Sequence, residues 1–320
     1  MSVNTDFKAN TGKVSGISVK ELVKSLLSQN LIDDDEAEII KEHGIIKIGN
    51  KIIPIIDGAP NLLDGMTPVY WDSQNNEITG NDEAFDITQY YSYSKTDKRW
   101  ANAKTEDGSY WVWIPRFAYK ITQGAYTANA GKIEIQFIDR YNYFIKDELD
   151  AEGYKIIEKQ DESVLKVNPN EVTYTGDVQN EYLVHPAFTS NADNGGGFGE
   201  LSGIWVAKFE MSQEKSEDGL NWEAIDTNED NKLYGDMLTT NAGNTQENLR
   251  IVSKPDNFIS WRSSYKTAYF NSKNYYKVGK SHLMKNSEWG AIAYLTYSEY
   301  GLNGVDIGRS PSRFAGGRTW

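Results

Sequence analysis

The 320-residue sequence contains no cysteine. That absence removes disulfides, zinc–thiolate centres and thiol nucleophiles from every reading of the chain. Histidine is nearly as scarce: His43, His185 and His282 are the whole supply. They fall at a predicted helix end, before a proline and in a loop, a spacing that gives no reason for a three-histidine iron site. Long apolar runs are missing too, and no stretch approaches the ~20 apolar residues of a membrane helix. The opening "MSVNTDFKANTGKVSG" lacks the apolar centre of a signal peptide, so synthesis and folding in the cytoplasm without membrane insertion is the expectation. Positive charge is in deficit, with 33 Lys and Arg against 46 Asp and Glu and a net charge of −13. Nucleic-acid binding and adsorption to anionic membranes both need clustered basic residues, so both are disfavoured.

What is present is a length that suits one large domain or two smaller ones, and an abundance of large amphipathic rings. The chain carries 20 Tyr and 9 Trp among many Asn, Gly, Ser and Asp. Such rings fill cores, and some serve recognition, including stacking on carbohydrate.

Residues 1–14 are polar and expected to be unanchored without a partner. "SVKELVKSLLSQN" opens with Ser18 and Glu21 at capping-box spacing and puts Val19, Leu22, Val23, Leu26 and Leu27 on one helical face. "DDDEAEIIKEHG" predicts a second helix, started by Asp33–Asp35 and stopped at Gly44. "IIKIGNKIIPII" predicts a hairpin turning at Gly49–Asn50. Residues 1–56 therefore read as a small helix–helix–hairpin module, too small for a core of its own and suited to attachment or oligomerisation.

From residue 57 the chain becomes short strands, turns and aromatics. "SYWVWIPRFAYKI" (109–121) alternates as a strand, and its Pro115 points to an edge or a bulge. "KIEIQFID" (132–139), "EYLVHPAF" (181–188) and "SGIWVAKFEMS" (202–212) read as further strands, and residues 140–183 as a charged, irregular insertion. The Trp-Val stretches at 111–114 and 205–206 invite comparison, although no fixed-period repeat is present. "SHLMKNSEWGAIAYLTYSEYG" (281–301) predicts a helix capped by Asn286 or Ser287 and running to about Ser298. Trp289, Ile292 and Ala293 form its inward stripe, with Leu295 alongside. His282 and Glu288 read as scaffold rather than catalytic groups, and Trp111, Trp113, Trp205 and Trp289 as core.

Motifs with chemical content are few. Asp226, Asn228 and Asp230 occupy positions 1, 3 and 5 of a calcium-loop pattern, but Asn231 stands where that loop needs Gly and no Glu follows at position 12. A solvated acidic turn is the preferred reading over a calcium site. "NGGGFG" lacks the strand–turn–helix context of a phosphate loop, and no G-x-S-x-G elbow occurs.

Three ordered phrases, "GSYWVWIPRFAYKI", "YLVHPAF…SGIWVAKFE" and "SHLMKNSEWGAIAYLTYSEYG", resemble the formylglycine-generating-enzyme-like branch of the C-type lectin fold. More narrowly, together with "APNLLDGMTPVYWD…DKRWANAKTEDGSYWVWIPR", they resemble phage and prophage tail proteins of Gram-positive bacteria, some of them variable proteins of diversity-generating retroelements. The resemblance spans residues 57–304. It implies an α+β fold: an irregular C-type-lectin-like domain over 57–320, preceded by the module at 1–56. The enzymes of this branch use cysteines and copper, or an iron–histidine triad; neither set is present, so the resemblance implies binding and no enzymatic activity. "SPSRFAGGRTW" stands where such tail proteins carry a longer variable segment, which implies a shortened C-terminal end.

The expectation is a phage-tail or tail-like-particle protein, a virion component. It would be attached to other tail proteins through residues 1–56, homo-oligomeric, and would display a lectin-like adhesin domain to a bacterial surface glycan or protein. The alternative is a structural virion subunit, such as a baseplate, fibre base or decoration protein. Exposed rings and donors late in the chain are the expected ligand-binding residues: Trp261, Arg262, Tyr265, Arg309, Arg313, Arg318 and Trp320. No cofactor is expected apart from the calcium alternative at Asp226, Asn228 and Asp230.

Overall fold

The computed structural model describes residues 2–4, 24, 26–29, 32–35, 37, 45–48, 51–54, 58–93, 95–124, 131–138, 155–158, 164–167, 173–189, 201–215, 249–255, 269, 272–273, 275 and 280–305. In chain order the strands are β1 Ser2–Asn4, β2 Ile45–Ile48, β3 Lys51–Pro54, β4 Met66–Trp71, β5 Glu77–Thr79, β6 Asn102–Thr105, β7 Tyr110–Pro115, β8 Phe117–Gln123 and β9 Lys132–Phe137. They continue with β10 Lys155–Glu158, β11 Val164–Val167, β12 Tyr174–Thr175, β13 Val178–Gln179, β14 Leu183–Val184, β15 Gly203–Ala207, β16 Ser212–Lys215 and β17 Leu249–Val252. Helix α1 spans Ile87–Tyr90 and α2 spans Asn286–Thr296. Strands dominate, their pairings are antiparallel, and helices are few, which is an α+β architecture.

The frame is a six-stranded sheet in the order β1-β15-β7-β6-β4-β5. Alternation along its central strands sends side chains to two faces, and both faces find apolar partners. Trp111 and Trp113 of β7 and Trp205 of β15 point to one side and are fully buried with Ala101, Ala103, Tyr90, Ile251 and Tyr275. Val112 and Ile114 of β7 and Ile204 and Val206 of β15 point to the other, against Phe117, Ile135, Phe188, Ala291 and Leu295. The predicted likeness of the two Trp-Val stretches is a pairing: Trp205 is the register partner of Trp113 and Val206 of Val112.

The indoles need polar partners once buried, because an unpaired N–H away from water costs roughly 1–3 kcal/mol. Trp113 Nε1 donates to Gly58 O at 3.0 Å, Trp205 Nε1 to Asn61 O at 2.7 Å, and Trp111 Nε1 to Thr105 Oγ1 at 3.3 Å. These bonds pin the irregular 58–63 segment over the tryptophan layer. Gly203 makes the close packing possible: a Cβ there would lie 2.3 Å from Trp113 Cζ2 and 2.7 Å from Ile114 O.

The opposite layer is a three-stranded sheet in the order β14-β8-β9, backed by α2. β7 and β8 are one continuous stretch of chain broken at Pro115 and Arg116. Pro115 is not in a bulge, and β7 as a whole lies between β15 and β6; but β6 pairs only with Tyr110–Val112, so at Pro115 the described pairing is to β15 alone, and the proline ends the strand where the chain turns into the second sheet. Arg116 is fully buried at this corner. Its N–H donates to Ser202 O at 2.9 Å, its carbonyl accepts from Ile138 N at 3.0 Å, and its guanidinium Nη1 donates to Phe188 O at 2.7 Å and Leu201 O at 3.2 Å.

Several expectations need correction. Residues 2–4 are anchored, pairing with β15 as the edge of the large sheet. Within 181–188 only Leu183–Val184 is strand; Pro186 starts a 3₁₀ turn over Pro186–Phe188, since its ring fixes φ and removes the N–H that a strand would use. The supposed insertion contains two hairpins, β10–β11 and β12–β13, the second turning at Gly176 with φ +62°. Buried Gln179 docks it by donating to Tyr119 O and Glu181 O. Strands β2 and β3 pair antiparallel with Ile48 opposite Lys51, Gly49–Asn50 lie outside the described residues, and the described residues at 24–28 and 34–37 include helical backbone. The proposed cap at Ser18–Glu21 lies outside the described residues.

Helix α2 starts one residue earlier than predicted, at N-cap Lys285 rather than Asn286 or Ser287. Lysine has no acceptor to offer, so Glu288 closes the turn by accepting from Lys285 N at 2.8 Å. Its inward face carries Glu288, Ala291 and Leu295. Trp289 is not core: it is 67% exposed, on the outward side.

Candidate functional site

The covering sheet and α2 occupy only part of the large sheet's second face. On the remainder, the same alternation presents Trp71 from β4, Glu77 from β5, Asn102 and Lys104 from β6, Tyr110 from β7, and Lys208 just beyond β15. Trp71 is 37% exposed. No local spacing in the sequence marks this cluster; strand register assembles it.

Its members hold one another. Glu77 accepts from Lys104 Nζ at 2.7 Å and, through its other oxygen, from the Tyr110 hydroxyl in a very short bond. Lys104 Nζ also lies 5.0 Å from the centre of the Tyr110 ring. Trp71 and Tyr110 are 5.7 Å apart, tilted at 42°, and Phe209 meets Tyr110 edge-on at 6.1 Å. Lys208 Nζ sits 3.9 Å above the Trp71 ring and donates to Asn102 Oδ1 at 2.9 Å. Asn102 is itself oriented, since its Nδ2 donates to Trp100 O at 2.7 Å.

The electrostatics separate the two lysines. Burial works against the charge of Lys104, but Glu77 and Tyr110 outweigh it, and its pKa lies above the ordinary lysine value. Burial, helped by the bond to Glu77, raises the Tyr110 hydroxyl. Burial alone lowers Lys208: the residue is exposed overall, yet its ammonium is tucked against the indole. The arrangement offers ring surface, donors and one carboxylate on an open face, the chemistry of a binding surface.

The reactive-looking residues elsewhere are engaged in structure. His185 is buried among Phe117, Tyr119, Phe188 and Tyr294, accepts at Nδ1 from Ala187 N at 3.3 Å, and is held by burial at a pKa of about 3. His282 bridges Lys280 O and Glu288 Oε1, each at 2.8 Å, with Glu288 only 1% exposed. His43 lies outside the described residues. Asp107 accepts from Thr105 Oγ1 at 2.6 Å, Ser109 N at 2.9 Å and Tyr275 OH at 2.7 Å, closing a buried turn against Trp111. Among the described residues, no group of three or more His, Asp and Glu gathers as metal ligands, and no helix is long and apolar enough to cross a membrane.

The residues expected to bind ligand, Trp261, Arg262, Tyr265, Arg309, Arg313, Arg318 and Trp320, all lie outside the described residues, as do Asp226, Asn228 and Asp230. Of the tryptophans expected in the core, Trp111, Trp113 and Trp205 are there and Trp289 is not. No family model matches the chain, and neither a curated protein nor a solved structure matches it.

Proposed function

We propose that the chain is a tail or tail-like-particle protein of a bacterial virus, whose C-type-lectin-like domain binds a bacterial surface glycan or protein without catalysis. Residues 1–56 would mount it on other tail proteins. The observation that carries the binding part is the open sheet face, where Trp71, Tyr110, Glu77, Lys104 and Lys208 are prearranged by mutual contacts. Prearranged side chains lose little freedom on binding, and repeated copies on one particle turn weak single sites into firm attachment. The ordered phrases that resemble those of tail proteins support the reading of the particle.

The test is saturable binding of the folded full chain to host-type Gram-positive cells, with Trp71→Ala beside it. Removing the ring is expected to weaken binding by roughly tenfold or more, the usual consequence of losing an aromatic anchor. A folded, oligomeric wild type that shows no saturable binding sinks the receptor reading.

A second reading, the structural virion subunit, is favoured by a different observation. Trp289, Leu283, Leu302 and Val305 are each exposed on or beside α2, and large apolar side chains left in water suit burial between subunits. Trp289→Ala that abolishes particle incorporation while sparing cell binding would assign α2 to assembly and the sheet face to recognition.

A further inference from the structure

The two lysines of the open face differ in a way that points to a ligand. Lys104 is matched by Glu77, whose carboxylate is 2.7 Å away. Among the described residues Lys208 meets only neutral groups: Asn102 Oδ1 at 2.9 Å, and the Trp71 ring at 3.9 Å. An ammonium has three donors, and Asn102 takes one. Lys208 is drawn toward neutrality by burial, with no opposing charge acting on it. The chain has 46 Asp and Glu, so carboxylate partners are plentiful, yet none of the described ones serves this cation. Partial desolvation of an unmatched charge weakens a fold, and an external anion would offset that cost.

We propose that Lys208, with Asn102 and Trp71, forms an anion subsite that seats the carboxylate or phosphate of an acidic saccharide on the open sheet face. The inference rests on reading this face as the receptor surface and names the chemistry of the receptor. Glu77, the register partner of Trp71, cancels the charge of Lys104, so this face offers no second net cation, and its remaining lone pairs accept hydroxyl donors; the fitting ligand carries one negative group beside a hydroxyl-rich ring. An acidic peptide would bring its carboxylate without those hydroxyls. A nucleic acid or other dense polyanion would meet both Glu77 and the net charge of −13. For a single sugar anion the distant acidic residues matter little, because charges are screened beyond about 8 Å at physiological salt.

The experiment titrates the full chain with an aldobiouronic acid, which carries one carboxylate on two sugar rings, its methyl ester and a maltotriose bearing one phosphate, followed by saturation-transfer NMR and calorimetry. The acid is expected to bind about tenfold more tightly than its ester, the scale of one charge-assisted hydrogen bond. Lys208→Gln should erase that preference while the ester's weak binding persists, and Lys95→Gln, whose lysine pairs with Glu299 outside the face, should leave it intact. Preference for the uronate or for the phosphate tells the two sources apart; either supports the subsite. Equal binding of acid and ester, or a preference that survives Lys208→Gln, overturns it. Cell binding is read separately. If cells bind the wild type and Lys208→Gln equally, the subsite fails and the receptor reading stands. If the acid preference is present but cells are not bound, the subsite stands and the receptor reading fails.

Discussion

One face of the six-stranded sheet is built in two ways. Where β8, β9 and α2 cover it, β7 and β15 present Val112, Ile114, Ile204 and Val206. One step along the same two strands, where nothing described covers it, they present Tyr110 and Lys208. Backbone pairing is continuous across the boundary: Lys208 N donates to Tyr110 O at 2.9 Å, as strand partners do. The difference lies in what the side chains must satisfy. Covered positions need volume and no polar atoms; open ones combine apolar stems with polar ends that reach water or one another. The covered half is expected to govern stability and the open half recognition.

The largest break in that division should come from Gly203→Ala. The added Cβ would sit inside van der Waals contact with Trp113 and the Ile114 carbonyl, both fixed by the sheet. Overpacking of this kind costs about 1–3 kcal/mol, and here the rigid neighbours favour the upper end. Chemical denaturation should show the loss. A change below about 0.5 kcal/mol would mean that the tryptophan layer is looser than described.

Between neutrality and about pH 6 a smaller, pH-dependent effect should come from His185, also in the covered half. Its folded pKa of about 3 lies below the ordinary value of 6.5, so the unfolded chain binds the proton first as pH falls. The stability from a neutral His185 is complete above pH ~6.5 and declines toward pH ~3, by at most about 1.4 kcal/mol per unit. His185→Gln should flatten that part of the stability–pH curve. An unchanged slope would show that other groups carry it.

The smallest effect belongs to the open half. A double-mutant cycle on Glu77→Gln and Lys104→Met should return a coupling of about 0.2–1 kcal/mol, because both side chains keep contact with water. A coupling several times larger would mean that the open half also holds the fold together, which would blur the division.

The sequence carried the strands more readily than the face. Alternation at 109–121 and 132–139 marks β7, β8 and β9, and Gly49–Asn50 marks its hairpin, because these signals are local. The split at Pro115–Arg116 is invisible to alternation: nothing in a strand pattern says that an arginine will be buried with its Nη1 held by carbonyls from residues 188 and 201. Trp289 misled for a related reason. Its spacing with Ile292 and Ala293 suggested an apolar stripe, but Glu288, Ala291 and Leu295 are the buried positions, and the inward carboxylate of Glu288 is held by His282 and Lys285 N. The open face draws on residues from 71 to 208, and only register joins them. Its one sequence signal was phase: Asn102, Lys104, Tyr110 and Lys208 fall on the strand positions opposite the tryptophans.

The Arg116 corner has a consequence for how the molecule comes apart. One residue's peptide and guanidinium tie the end of β7 to the start of β8, to the turn after His185, and to the approach to β15. Separating the two sheets would strand a buried cation and several carbonyls at once, far costlier than fraying either sheet's edge. The two layers therefore form a single cooperative unit: edge strands such as β1 can fray on their own, but the two sheets should part from one another in one transition.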